Sequence, residues 1–199
     1  MKHLFLILVV ISLSGFGQTA EDYFNKGVAK GRLHDYTGAI DDFNQAIQLN
    51  PNEASAYYNR GITKNKLEDY RGAIADYNKA IQLNSNNAKA YYKRGNAKYD
   101  LQDYRGAIAD YNKAIQLNPN EADAYFNRGN AKHGLKDYRG AIADYNKAIQ
   151  LKPDDAVSYI NRGSAKNNLQ DKNGACLDWS KAGELGESSA YIYIKDYCN

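Results

Sequence analysis

The chain has 199 residues, 43% apolar and 25% charged, with a formal charge of +3 at neutral pH. That composition is too apolar for a disordered chain, and the charges alternate in sign instead of gathering into the concentrated basic stripe of a nucleic-acid binder. Eighteen tyrosines stand against one Trp and one Met, and most of them fall at a fixed spacing, which makes them architecture before chemistry.

Residues 1–17 read as a secretory signal: Lys2 and His3, an apolar run from Leu4 to Leu13, then Ser14-Gly15-Phe16-Gly17, with cleavage expected after Gly17. A retained anchor is the alternative, but the run is shorter than the roughly 20 residues a spanning helix needs, and no second apolar segment follows. No Cys stands near the cleavage region to carry a lipid. Loss of Lys2 leaves 25 basic and 23 acidic side chains. The mature chain is expected outside the cytoplasm, periplasmic or secreted, without stable membrane insertion.

From Ala20 onward the sequence repeats. The segment from Tyr70 to Leu83 returns unchanged at 104–117 and at 138–151, a step of 34 residues. Extending the register gives units 20–53, 54–87, 88–121, 122–155 and 156–187, then a short segment 188–199. Within a unit, apolar and small residues recur at helical spacing in two blocks joined by a polar turn, which predicts two antiparallel helices. Asp35, Asp69, Asp103, Asp137 and Asp171 are placed to cap the second helix. Pro51, Pro119 and Pro153 stop it, with Ser85 in their place once. Asn52, Asn86, Asn120 and Asp154 are expected to cap the next first helix.

Two small-residue columns run through the units. Gly27, Gly61, Gly95, Gly129 and Gly163 cost about 1 kcal/mol each in helix propensity, which close helix contact would offset. Ala39, Ala73, Ala107, Ala141 and Ala175 face them. Tyr57 and its equivalents, with Phe43, Tyr77, Tyr111, Tyr145 and Trp179, are expected to fill the seam. Before each Gly stands a base, Lys26, Arg60, Arg94, Arg128 or Arg162, followed four places later by Lys30, Lys64, Lys98, Lys132 or Lys166. Each second helix offers an acid, Asp42, Asp76, Asp110, Asp144 or Asp178. This predicts a half-exposed column of ion pairs whose role is positioning, each contributing about 0 to 1 kcal/mol.

The step of 34, the aromatic early in each unit, the Gly four places on, the paired Ala columns and the closing Pro resemble the tetratricopeptide repeat over residues 20 to about 187. From Gly174 to Gly186 the pattern drifts toward the related Sel1-like repeat. The resemblance implies an all-α fold: a right-handed superhelical α-solenoid of five helix-turn-helix units with a C-terminal capping helix at 188–199. It also implies that first helices line the concave side. The three most alike units differ from one another there, at Ser55/Lys89/Asp123, Tyr58/Tyr92/Phe126, Asn59/Lys93/Asn127, Ile62/Asn96/Asn130 and Asn65/Tyr99/His133.

A peptide-binding groove is therefore expected along Tyr58, Asn59, Tyr92, Asn96, Tyr99, Phe126, Asn127, Asn130 and His133, with amides for a peptide backbone and rings for its apolar side chains. The alternative is that such residues are ordinary for the family and mark no site. The family's clamp for C-terminal carboxylates does not carry over cleanly, because Tyr58 and Tyr92 stand where a clamp Lys would be sought and only Lys89 and Lys93 form a local basic pair. Cys176 and Cys198 lie on adjacent elements of an exported chain, which predicts a disulfide; two unpaired thiols are the alternative.

His34 and His133 lie in different units without ligand-like neighbours at helical spacing, and no phosphate loop or nucleophile elbow is present. No catalytic residue, cofactor or metal is expected. The function these features point to is a non-catalytic scaffold for a protein or peptide partner, without nucleic acid. Self-association into a homo-oligomer through array ends or convex faces is the alternative.

Overall fold

The computed structural model describes residues 18–198; residues 1–17, read above as an export signal, lie outside the described residues. Five helical hairpins follow one another: α1 (Ala20–Arg32) with α2 (Tyr36–Leu49), α3 (Ala54–Lys66) with α4 (Tyr70–Leu83), α5 (Ala88–Asp100) with α6 (Tyr104–Leu117), α7 (Ala122–Gly134) with α8 (Tyr138–Leu151), and α9 (Ala156–Asn168) with α10 (Lys172–Glu184). A single helix, α11 (Ala190–Tyr197), closes the series. Among the described residues there is no strand, and no helix is long and apolar enough to cross a membrane.

Each hairpin turns on one residue in the left-handed region: His34, Glu68, Gln102, Lys136 and Gln170, at φ 60–66°. The amide three residues beyond each first helix bonds back to a lysine carbonyl, as in Asp103 N to Lys98 O at 2.9 Å, which satisfies one of the carbonyls the helix end leaves free. The same Asp then caps the second helix. The carboxylates of Asp35, Asp69, Asp103, Asp137 and Asp171 accept from the amides of Gly38, Gly72, Gly106, Gly140 and Gly174 at 2.9–3.0 Å.

The caps of the first helices fall one residue later than the sequence pattern predicted. Glu53, Asn87, Glu121 and Asp155 occupy those positions; the side chains of Glu53 and Asn87 accept from helix backbone amides, and that of Asp155 accepts from the Ser158 hydroxyl. Asn52 and Asn86 instead belong to the preceding turn, where their amides donate to Asn50 Oδ1 and Asn84 Oδ1. The turn thus uses the residue after Pro51, and the helix begins beyond it.

The seam between paired helices is small against large. Ala39, Ala73, Ala107, Ala141 and Ala175 are fully buried, as are the rings of Phe43, Tyr77, Tyr111, Tyr145 and Trp179. A Cβ on Gly61, Gly95 or Gly129 would lie 2.7 Å from the ring of Tyr77, Tyr111 or Tyr145, so these positions need glycine for close approach. The first-helix rings in the seam are not those of Tyr57 and its equivalents but of the next residue. Phe24, Tyr58, Tyr92 and Phe126 tilt against Phe43, Tyr77, Tyr111 and Tyr145 with centroids 5.9–6.0 Å apart. Tyr57, Tyr91, Tyr125 and Tyr159 lie beneath the guanidinium of the Arg three residues on, at 5.2–5.5 Å.

The ion pairs form in the predicted register, but from the second hairpin on their acids are buried and their bases only partly exposed, where half exposure was expected. Arg60, Arg94, Arg128 and Arg162 each donate to both carboxylate oxygens of Asp76, Asp110, Asp144 and Asp178. Lys64, Lys98, Lys132 and Lys166 approach the same acids at 2.8 Å, and each acid side chain is 5% exposed. The free Arg nitrogen reaches back to the preceding hairpin, to Asn44, Asn78, Asn112 or Asn146 at 2.6–2.7 Å. Among the described residues no hairpin precedes the first, and there Lys30 meets Asp42, at 2.7 Å, while Lys26 lies against Tyr23.

Candidate functional site: the concave groove

From α1 to α9, odd-numbered helices touch the next odd-numbered helix directly, whereas successive even-numbered helices meet mainly through the odd helix between them. Elements that touch their own kind lie on the inner side of a curved stack, so the first helices line the concave face. Along it Phe24, Tyr58, Tyr92, Phe126 and Ile160 form a row, each one repeat from the last.

All nine predicted groove residues lie on these helices, but several are already engaged within the chain. Tyr111 donates its hydroxyl to Asn96 Oδ1 at 2.9 Å, and Asn127 Nδ2 reaches Tyr92 Oη at 2.8 Å and Asn96 Oδ1 at 3.3 Å. One repeat on, Asn130 Oδ1 accepts from Tyr145 Oη at 2.8 Å and from Asn161 Nδ2 at 3.0 Å. Part of the amide ladder therefore serves the buried tyrosines, since a buried hydroxyl without a partner costs free energy. Asn59 Nδ2 donates to Ser55 O at 2.8 Å. Tyr99 packs at a tilt on Tyr104 and His133 edgewise on Tyr138, at 5.3 and 5.0 Å between centroids.

Recesses open between the rungs. One, of about 210 Å³, has Tyr58, Tyr92 and Ala114 as walls and Lys89, Lys93 and Glu121 at its rim. A second, of about 260 Å³, is lined by Tyr99, Asn130, His133, Tyr145, Asn161 and Ser164. The matching position near the N-terminal end holds about 410 Å³ and is more apolar, with Val28, Phe43 and Ile62 alongside Asn59 and Thr63. Phe24, Asn161 and Ser164 were not among the predicted site residues, although they stand one repeat from Tyr58, Asn127 and Asn130.

Burial raises the hydroxyl pKa of Tyr58, Tyr92 and Tyr99, and raises those of Tyr77, Tyr111 and Tyr145 strongly. It pushes His133 below the ordinary histidine range. At neutral pH the floor of the groove is therefore uncharged and hydrogen-bonding. Among the described residues no group of His, Cys, Asp or Glu is arranged to hold a metal ion.

At the C-terminal end α11 takes the place of a further first helix. Tyr193 stacks on Trp179 at 5.3 Å and 19°, Ala190 is buried, and Cys176 and Cys198 are joined by a disulfide with Cα atoms 5.8 Å apart.

The profile described as TPR repeat matches residues 29–67, 63–102 and 95–136, and that described as tetratricopeptide repeat matches 122–155. The chain belongs to the tetratricopeptide repeat family. No curated protein matches it significantly. Among solved structures, a MamA is 28% identical, with 83% of this chain and 96% of that one aligned at a TM-score of 0.79. MamA of Desulfovibrio magneticus RS-1 is 24% identical, with 86% and 97% aligned at 0.82. YrrB, described as a TPR protein with an unusual peptide-binding site, is 21% identical, with 88% and 91% aligned at 0.79. The last two comparisons speak to the shared tetratricopeptide repeat fold alone.

Proposed function

We propose that the protein is a non-catalytic scaffold that holds a protein or peptide segment along its concave groove, outside the cytoplasm. The observation that carries this reading is a contrast between the two layers. From Tyr70 to Leu83, and at its two copies, the outer helices are identical, whereas the inner helices are not, and their differences include the groove columns Tyr58/Tyr92/Phe126, Asn59/Lys93/Asn127, Ile62/Asn96/Asn130 and Asn65/Tyr99/His133. The outer helices pack alike in the three repeats, so the inner variation that the buried tyrosines do not use is free to answer to an occupant. The peptide-binding site in the description of YrrB lends the reading support by analogy of fold. The Cys176–Cys198 bond supports an oxidising compartment, as does the reading of residues 1–17 as an export signal.

Replacing the inner tyrosines by Ala would remove packing and hydrogen bonds together, so the test uses photo-crosslinking. A benzophenone side chain is placed at Lys93, on the groove, or at Arg71, exposed on α4, and the protein is mixed with envelope and culture fractions. A partner captured through position 93 and not through 71 supports the groove; capture through 71 alone would sink it.

A second reading, self-assembly through the array end, is favoured by one observation. Tyr191 and Ile192 are 63% and 62% exposed, and Ile192 stands in the column where Ala56, Ala90, Ala124 and Ser158 are fully buried. Light scattering over a range of protein concentrations separates the two, since only the second reading requires the mass to rise.

A further inference from the structure

The recess between α7 and α9 is a copy, in backbone terms, of the one between α1 and α3, yet its lining is more polar and holds no charged side chain, whereas Arg32 and Lys66 border the other. Val28 becomes Asn130, Gly31 becomes His133, Ile62 becomes Ser164 and Phe43 becomes Tyr145. The hairpins on both sides pack alike, so the fold does not demand this polarity. Some of it is spent internally: Asn130 Oδ1 takes the bonds of Tyr145 and Asn161, and Ser164 Oγ donates to Ile160 O at 3.0 Å.

What remains is uncharged and two-sided. Asn130 Nδ2 is a donor, Asn161 Oδ1 an acceptor, and His133 Nε2 is a buried ring nitrogen with no hydrogen-bond partner among the described residues. A buried polar atom left this way is costly and calls for an explanation. No Lys, Arg, Asp or Glu lines the recess, so a carboxylate or an ammonium would enter it without a counter-charge. A primary carboxamide both donates and accepts through one planar group, as the remaining atoms require. The ring of Tyr99 lines the same recess and offers an apolar wall to the aliphatic stem.

We propose that this recess reads the carboxamide of an Asn or Gln side chain in the segment that the groove holds, a specificity that rests on the groove reading above. Backbone amides share part of this chemistry, and the test separates the two sources.

A displayed library of random peptides is selected on the full mature chain and, in parallel, on its His133→Phe variant. An aromatic ring is already present in this column at Tyr99, so the substitution is compatible with the repeat. The expected result is enrichment of Asn or Gln at one peptide position on the unaltered protein. On His133→Phe that preference is lost while the remaining consensus is kept, and a selected peptide binds at least tenfold more weakly. Peptides enriched without an Asn or Gln preference, or equally on both proteins, overturn the recess and leave the groove standing.

Should no peptide be enriched, the groove reading fails, and capped single residues decide the recess alone. N-acetylglutamine methylamide should then shift the His133 ring and Asn130 side-chain amide signals in NMR spectra. The glutamate and norleucine analogues, which carry the same backbone amides, should not. Equal shifts from all three, or none from any, overturn the proposal.

Discussion

Asp110 is the residue on which the most polar contacts of a hairpin converge. Arg94 donates to both its oxygens, Lys98 meets it at 2.8 Å, and Arg94 also crosses to Asn78 of the previous repeat. A buried pair gains little over a well-packed apolar substitute, but removing one partner strands the other. Asp110→Asn should therefore cost more than the 0 to 1 kcal/mol of a surface pair: about 2–4 kcal/mol, because Arg94 and Lys98 keep part of their hydration. Urea unfolding followed by circular dichroism checks this, and a loss below about 1 kcal/mol would return the column to the surface class. The sequence placed Asp110 opposite Arg94 because both sit at fixed registers, 16 residues apart. It did not reveal the burial, which arises from the Tyr91 ring under the guanidinium and from the neighbouring hairpin, contacts that no single helix pattern encodes. The same holds for Asn96 and Asn130. Their place on the inner face follows from spacing, whereas their bonds to Tyr111 and Tyr145 depend on the depth of the seam.

Helix pairs show where local chemistry is easy to read and where it fails. The Asp caps and the Pro stops act within a few residues of themselves, and each was found at its predicted place. The caps of the first helices slipped by one because the Asn-rich linkers offer adjacent candidates, and Asn50 and Asn84 take the amides of Asn52 and Asn86 into the turn. A different element feature left no clear mark in sequence. The hairpin turn requires a left-handed residue, yet His34, Glu68, Gln102, Lys136 and Gln170 are not glycine. Left-handed backbone costs an L-residue about 1–2 kcal/mol, while glycine's added unfolded-state freedom takes back about 0.5–1 kcal/mol. Gln102→Gly should thus stabilise the array by roughly 0.5–1 kcal/mol, and Gln102→Ala should give no such gain. Paired denaturant midpoints test the difference, and a lower midpoint for the glycine variant would show that the Gln102 side chain contributes more than its backbone costs.

At the scale of the whole array, stability is a sum over repeats and the interfaces between neighbours, and the ends are weakest. The C-terminal end relies on α11, an eight-residue helix, too short to persist in isolation. It is held by Trp179 stacked on Tyr193 and by the bond from Cys176 to Cys198, 22 residues apart in sequence. Closing a loop of that length is worth about 3 kcal/mol in the chain-entropy model, a large share of what so small an element can supply. Reduction should therefore release α11 before the other helices, exposing Trp179, which is 1% exposed in the intact structure. It is the only Trp in the chain, so its emission reports on this end alone. Reduction, or the double change Cys176→Ser and Cys198→Ser, should shift that emission to longer wavelength. Amide exchange in α11 and then α10 should speed up, while α3 to α8 stay protected, because their buried seams and Arg–Asn crossings do not involve the cap. Uniform loss of protection along the array would mean that the repeats unfold as one unit. Unchanged emission would mean that the Trp179–Tyr193 stack holds α11 without the covalent bond.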